Sequence, residues 1–198
     1  MKITIDEQKE IISSPLREEF NKIWLEFTTE IYQAERLIYC VDIDGQVLYN
    51  QYEQYILHHI QEIENIHIHT MSRFDSINET EEQLVQYLNK FIPGMITIVD
   101  RMYGDMSNEL WGELATGLEG LQWIASSFEF LKILYSSDIL NNIIISNYCS
   151  DLENIVKDLD ANLTEDDLVA VADLFKYELL PLLDKYNTEI GKSKVQLS

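Results

Sequence analysis

The chain has 198 residues, 46% of them hydrophobic and 25% charged, the composition of a folded globular protein and not of a disordered one. Against 14 Lys and Arg stand 35 Asp and Glu, a formal net charge of −21. Such a surface repels nucleic acid and anionic membranes, and suits a basic protein partner or simple solubility.

The acidity is not confined to a tail. Residues 1–72 hold 5 basic and 13 acidic residues, and residues 73–198 hold 9 and 22, so the two parts carry −8 and −13. Cys40 and Cys149 sit inside apolar patterns and read as small buried thiols. The N-terminal residues lack the apolar run of a secretion signal. The most apolar stretch, Ile139 to Ser150, is too short and too rich in asparagine to cross a bilayer. The expected location is the cytoplasm.

In chain order, Ile3 and Ile5 alternate with polar residues as in a half-buried strand. Ser14-Pro15 reads as a helix start, after which Leu16, Phe20, Ile23, Trp24, Phe27 and Ile31 form one apolar stripe. Leu37–Ile43 and Gln46–Tyr49 read as strands joined by Asp44-Gly45, a hairpin turn that requires positive φ. Tyr52, Ile56, Ile60 and Ile63 mark a second helix. Residues 65–72 alternate again, with Ile66, Ile68 and Met71 against His67 and His69. The order strand-helix-strand-strand-helix-strand over residues 1–72 is that of a ferredoxin-like βαββαβ unit.

The remainder, residues 73–190, predicts an up-down four-helix bundle, and residues 191–198 a frayed tail. Asn78 with Glu81 has the form of a capping box. The stripe Leu84, Leu88, Phe91, Met95, Val99 and Met102 keeps its phase through Pro93-Gly94, which predicts one kinked helix. Ser107, Ser137 and Thr164 are the expected starts of the next three, and Pro181 is expected to bend or end the last. The fold class is therefore α+β, mostly α.

Candidate chemistry is sparse. Asp42-x-Asp44-Gly45 after an apolar run resembles the nucleophile loop of haloacid-dehalogenase-type phosphohydrolases, which would make Asp42 and Asp44 the residues of a metal-dependent hydrolase. That family follows the glycine with threonine or a similar residue where Gln46 stands here. It also needs repeated strand-helix units that are missing after Ser72, so a hairpin turn is the better account. As a calcium loop the stretch lacks the bidentate glutamate. His59, Glu62, His67 and His69 could supply ligands for zinc or another divalent ion, although a His-x-His pair is as well explained by a solvated sheet face. No phosphate loop, nucleophile elbow or Cys-x-x-Cys pair is present, and no cofactor is expected.

The helix after Ser107 draws most interest. No basic residue occurs between Arg101 and Lys132, whereas Glu109, Glu113, Glu119 and Glu129 accumulate there. Gly112, Thr116 and Gly120 recur at four-residue spacing, a row of small residues that suits close approach by a neighbouring helix or a partner. Glu109, Gly112, Glu113, Thr116, Glu119 and Gly120 are thus the candidate partner-binding residues.

Two stretches, Tyr87–Gly94 continuing to Gly117–Trp123, and Ala172–Leu183, are similar to a group of small acidic helical proteins of Gram-positive bacteria. The resemblance implies a bacterial cytoplasmic source and a helical C-terminal region, and carries no activity and no site residue. The leading expectation is a non-enzymatic interaction protein, adaptor-like or chaperone-like, for a basic or helical protein partner. The alternatives are an inhibitor that imitates DNA and the hydrolase. The oligomeric state is left open.

Overall fold

The computed structural model describes residues 1–6, 9–12 and 16–195, and the expected helix start at Ser14-Pro15 lies outside them. The fold is α+β and mostly α, in two compact units, Met1–Ser76 and Ile77–Ser198.

The first unit holds strands β1 (Lys2–Ile5) and β2 (Lys9–Ile12), helix α1 (Arg17–Gln33), strands β3 (Arg36–Ile43) and β4 (Gln46–Leu48), helix α2 (Tyr52–His59) and strand β5 (Asn65–Ser72). They form one five-stranded sheet in the order β2-β1-β5-β3-β4. β1 runs parallel to β5, and the other neighbouring pairs are antiparallel. The βαββαβ succession is present, with β2 as an added hairpin strand, but the strand order departs from the ferredoxin-like one. That fold centres its first and third strands. Here the third, β4, is only three residues long and stays at the edge, while the two eight-residue strands β3 and β5 pair in the middle.

Alternation puts Ile3, Val41, Ile43, Ile66 and Ile68 on one sheet face, where they pack against Phe20, Trp24, Phe27 and Ile31 of α1 and Ile56 of α2. The Trp24 indole N–H donates to Glu53 Oε1 at 2.8 Å and ties the two helices together. Asp44 and Gly45 both have positive φ, 50° and 90°, as a two-residue hairpin turn demands.

The second unit is four helical segments. α3 runs unbroken from Arg73 to Met102 through Pro93, α4 spans Asn108–Leu134, and α5 spans Ile139–Thr164. The last segment is α6 (Leu168–Leu174), a π turn (Phe175–Leu179) and α7 (Leu180–Val195). Contacts give the directions. Tyr87 meets Trp123 while Arg101, further along α3, meets Glu113, earlier in α4. Asn89 pairs with Asn187 and Asp100 with Lys176, and Phe128 meets Tyr148 while Asn142 bonds the carbonyl of Lys132. Each neighbour is antiparallel, so the bundle is up-down.

Several expected boundaries move. Ser107 does cap α4, accepting from the Leu110 N–H at 3.2 Å. Asn78, however, lies inside α3, whose first turn is held instead by Ser72 Oγ, which accepts from the Asp75 N–H at 3.0 Å. Asp138, not Ser137, caps α5, because Tyr135–Ser137 form a 3-10 turn. Thr164 ends α5, and Asp167 caps α6 through the Ala170 N–H. Pro181 neither ends the last segment nor leaves it regular. Its ring would clash with the carbonyl four residues back, and the helix widens into the π turn there, with the Leu180 N–H bonded to the Phe175 carbonyl. α7 then continues through Gly191 to Val195, into the segment expected to fray, since one glycine weakens a helix without stopping it.

Candidate interaction surface

The row Gly112, Thr116, Gly120 does not act as one face. Gly120 is buried, and a Cβ there would come within 2.2 Å of the Tyr87 hydroxyl and 3.1 Å of the Phe91 ring. Its neighbour in this role is Gly117, where a Cβ would meet Met95 Sδ at 2.5 Å. These two glycines let α3 approach α4. Gly112 faces open space, and Thr116 is exposed, its hydroxyl donating back to the Gly112 carbonyl at 3.1 Å.

The acidic run of α4 is base-free only along the sequence. Arg101 of α3 pairs with Glu113 and feels the charge of Glu109, and Lys132 lies 3.4 Å from Glu129. Glu109 and Glu119 are exposed. The six candidates therefore split into one ion-paired acid, two exposed acids, two exposed small residues and one packing glycine.

In the sheet unit, Asp42 and Asp44 hold the hairpin. Asp42 Oδ1 accepts from the Gly45 N–H at 2.8 Å. The Asp44 carboxylate accepts from the backbone N–H groups of Glu64 (3.0 Å) and Asn65 (2.8 Å) and from the Asn65 side chain (3.3 Å). Desolvation alone would raise the Asp44 pKa, but these hydrogen bonds outweigh it and hold the carboxyl below its ordinary range. Asp42 is bonded within the turn, and Asp44 ties the turn to the start of β5.

His67 and His69 do share the face of β5 opposite Ile66 and Ile68. His67 shares a hydrogen bond with Thr4, and with Glu62 it lines an open acidic cleft. His59 turns back to its own helix, donating to the Tyr55 carbonyl at 2.9 Å and stacking on the Tyr55 ring. His59, Glu62, His67 and His69 are not brought to one point, and among the described residues no three His, Cys, Asp or Glu side chains could hold a metal ion together.

An exposed apolar cluster lies elsewhere. Where α4 turns into α5, Ile133, Ile139, Leu140, Ile143 and Ile144 expose 64%, 74%, 76%, 54% and 50% of their surface. A folded chain seldom leaves so many aliphatic side chains open within so short a stretch. The signal is present in the sequence: Ile143-Ile144-Ile145 are consecutive, and three neighbours on a helix cannot share one buried stripe. Only Ile145 is buried. Among the described residues no helix is long and apolar enough to cross a membrane.

A groove of about 560 Å³ adjoins this cluster between α5 and α7, with Ile144 in its wall. Tyr148 donates to Glu189 there, and the ring of Tyr186, buried to 2% exposure, packs on both Tyr148 and Phe128. The Tyr186 hydroxyl is buried without a hydrogen-bond partner. At the same end of the bundle Glu81 is buried and accepts from the Tyr135 hydroxyl.

Fold and surface thus define a helical-bundle protein with a small α+β unit at its N-terminus and an open apolar corner. The chain matches the family described as "Domain of unknown function (DUF8042)" over residues 79–189, more than half of its length, and belongs to that family. No curated protein and no solved structure matches it.

Proposed function

We propose that the chain is a non-enzymatic interaction protein, adaptor-like or chaperone-like, that holds an amphipathic helix with a basic polar face. The observation that carries this reading is the corner of Ile133, Ile139, Leu140, Ile143 and Ile144, half or more exposed at one end of the bundle. An amphipathic helix lays its apolar face on such a surface, with anchors at three- and four-residue spacing. Charge selects the polar face of the partner. Residues 77–198 hold 8 basic and 21 acidic residues, net −13, so a basic helix is attracted and an acidic one repelled. The bacterial, cytoplasmic setting implied by the sequence resemblance belongs to the same proposal.

The test is a titration of the full chain with two helical peptides of equal hydrophobic pattern, one with lysine and one with glutamate on the polar face. The lysine peptide is expected to bind saturably and the glutamate peptide at least about tenfold more weakly. The double substitution Leu140→Asp, Ile143→Asp is expected to abolish the binding while leaving the circular dichroism unchanged, because both side chains are exposed. Equal binding of the two peptides, or binding that survives the double substitution, overturns the proposal.

A further inference from the structure

The solvent side of α4 carries a pattern that its core packing does not use. Gly112, Thr116, Glu119, Trp123, Ser126, Phe130 and Ile133 follow one another at alternating steps of four and three, and all are exposed. Such steps average 3.5 residues, the repeat that keeps one row of a helix against another helix over several turns. The row is about 32 Å long at 1.5 Å per residue.

Its two ends differ in bulk. Nothing lies within 4 Å of a Cβ built at Gly112, and the Thr116 hydroxyl already donates to the Gly112 carbonyl, so covering Thr116 strands no donor. At the far end stand Phe130 and Ile133, both large and exposed. Trp123 marks the middle, packed on Tyr87 with 40% of its surface still open.

A row that is small at one end and large at the other fits its own reversal. Turned about a two-fold axis at Trp123, a second copy sets Ile133 against Gly112, Phe130 against Thr116 and Ser126 against Glu119, and every contact recurs across the axis. The Ser126 hydroxyl is a donor for the Glu119 carboxylate, and the two Glu119 residues stand about 10 Å apart along the helices. Lys132, the one base in α4, comes opposite Glu109 and Glu113 of the second copy, which otherwise face Arg101. Parallel pairing has none of these matches, because each Glu119 would meet the other and Phe130 would meet Phe130. An unrelated helix gives no reason for the row to complement itself.

We propose that the chain forms a two-fold dimer through antiparallel pairing of α4 along this row. The net charge of −21 on each copy opposes the approach, so the dimer is weak and tightens as salt screens the repulsion. Below about 1 μM the chain is a monomer, in which Gly112 faces open space. Ile133 is shared with the docking corner, but Ile139, Leu140, Ile143 and Ile144 lie in α5, and the inference does not rest on that reading.

Sedimentation equilibrium of the full chain from about 1 to about 200 μM, at about 0.05 and about 0.5 M salt, tests it. A monomer–dimer equilibrium is expected, at least about threefold tighter at the higher salt. Gly112→Phe fills the hollow for Ile133 and should weaken the dimer at least about tenfold with circular dichroism unchanged, since a Cβ there meets nothing in its own chain. Thr116→Phe alone should weaken it likewise, and Thr116→Phe combined with Phe130→Thr should restore it, because bulk and hollow change places. Under mild oxidation a chain with Gly112→Cys should cross-link to one with Ile133→Cys and not to itself; Cys40 and Cys149 are buried and add little background. Self-cross-linking of Gly112→Cys means parallel pairing and overturns the proposal. So does a chain that stays monomeric, a dimer indifferent to Gly112→Phe, a folded combined variant that does not restore it, open-ended association, or a dimer that loosens with salt. Leu140→Asp with Ile143→Asp is expected to leave the dimer intact, and Gly112→Phe to leave the lysine peptide bound, so failure of the docking proposal is read separately.

Discussion

The two units treat their apolar residues differently. In the sheet unit the inward strand residues Ile3, Val41, Ile43, Ile66 and Ile68 all have a helix opposite them and are buried. Its exposed large side chains, such as Leu16, Leu25, Tyr49 and Phe74, are spread along the chain, as on any protein surface. The helical unit buries a stripe on every helix and still leaves the cluster at the start of α5 uncovered. Patterning of the first kind is accounted for by folding. The surplus of the second kind is where function is to be sought.

The comparison breaks most sharply if the two cores are not separate. Phe27 and Phe128 are each buried to 2% exposure or less, one in each unit. Replacement of either by alanine should cost about 3–5 kcal/mol, the transfer term plus the cavity left behind. Hydrogen exchange should place the lost protection in β3 and β5 for Phe27→Ala and in α4, α5 and α7 for Phe128→Ala. Equal loss in both units from either substitution would show one cooperative core.

The glycines of α4 sharpen the contrast between a packed and an open face. Gly120→Ala forces its Cβ against the Tyr87 hydroxyl and the Phe91 ring, and overpacking of that kind costs about 1–3 kcal/mol, partly offset by helix propensity. Gly112→Ala meets nothing within 4 Å and should stabilise the chain by about 0.5–1 kcal/mol through propensity alone. Denaturant titration reads both signs. A destabilising Gly112→Ala would mean that something covers that face in solution.

Much of this was legible in the sequence. The 3.6-residue stripe of α3 and the Asp44-Gly45 hairpin follow from local periodicity and turn chemistry, which need no knowledge of the rest of the chain. What was not legible depends on contacts distant in sequence. The pairing of β1 with β5 spans about sixty residues, and nothing local marks the added strand β2. The acidic run of α4 looks unopposed until α3 brings Arg101 to Glu113. The spacing of Gly112 and Gly120 is alike on the helix, yet only the position of Tyr87 and Phe91 makes one of them obligatory. Leu140 and Ile144 fall at the spacing of a buried stripe and are nevertheless 76% and 50% exposed, because a buried stripe and an exposed surplus look the same in sequence until the neighbours are known.

The sheet unit is held at its turns by carboxylates, which gives it an acid sensitivity of its own. For Asp6, as for Asp44, desolvation raises the pKa, but the hydrogen bonds from Thr70 and the charge of Arg36 prevail and lower it. A folded-state value below the unfolded one, near 3.9, means that each group contributes stability above about pH 4. That contribution is lost as pH falls through the folded value. Asp44→Asn should lower stability at pH 7 by about 1 kcal/mol and flatten the decline below pH 4. An unchanged acid limb would assign that decline to other carboxylates.

The two cysteines give the comparison a reporter in each unit. Cys40 lies on the sheet face opposite the core residues, in register with His69, and Cys149 lies in α5. Both are buried. Burial pushes both thiols up, helped by Asp42 at Cys40 and by Glu129 at Cys149, which reaches about 11. Little thiolate is therefore present at neutral pH, and the folded chain should react with iodoacetamide far more slowly than a free thiol. The residual rate then reports local opening around each sulfur. Phe27→Ala should accelerate labelling of Cys40 and leave Cys149 unchanged, and Phe128→Ala should do the reverse. If either substitution accelerates both sites alike, the thiols are reached through a single global opening, and the division into two compact units is not a division in stability.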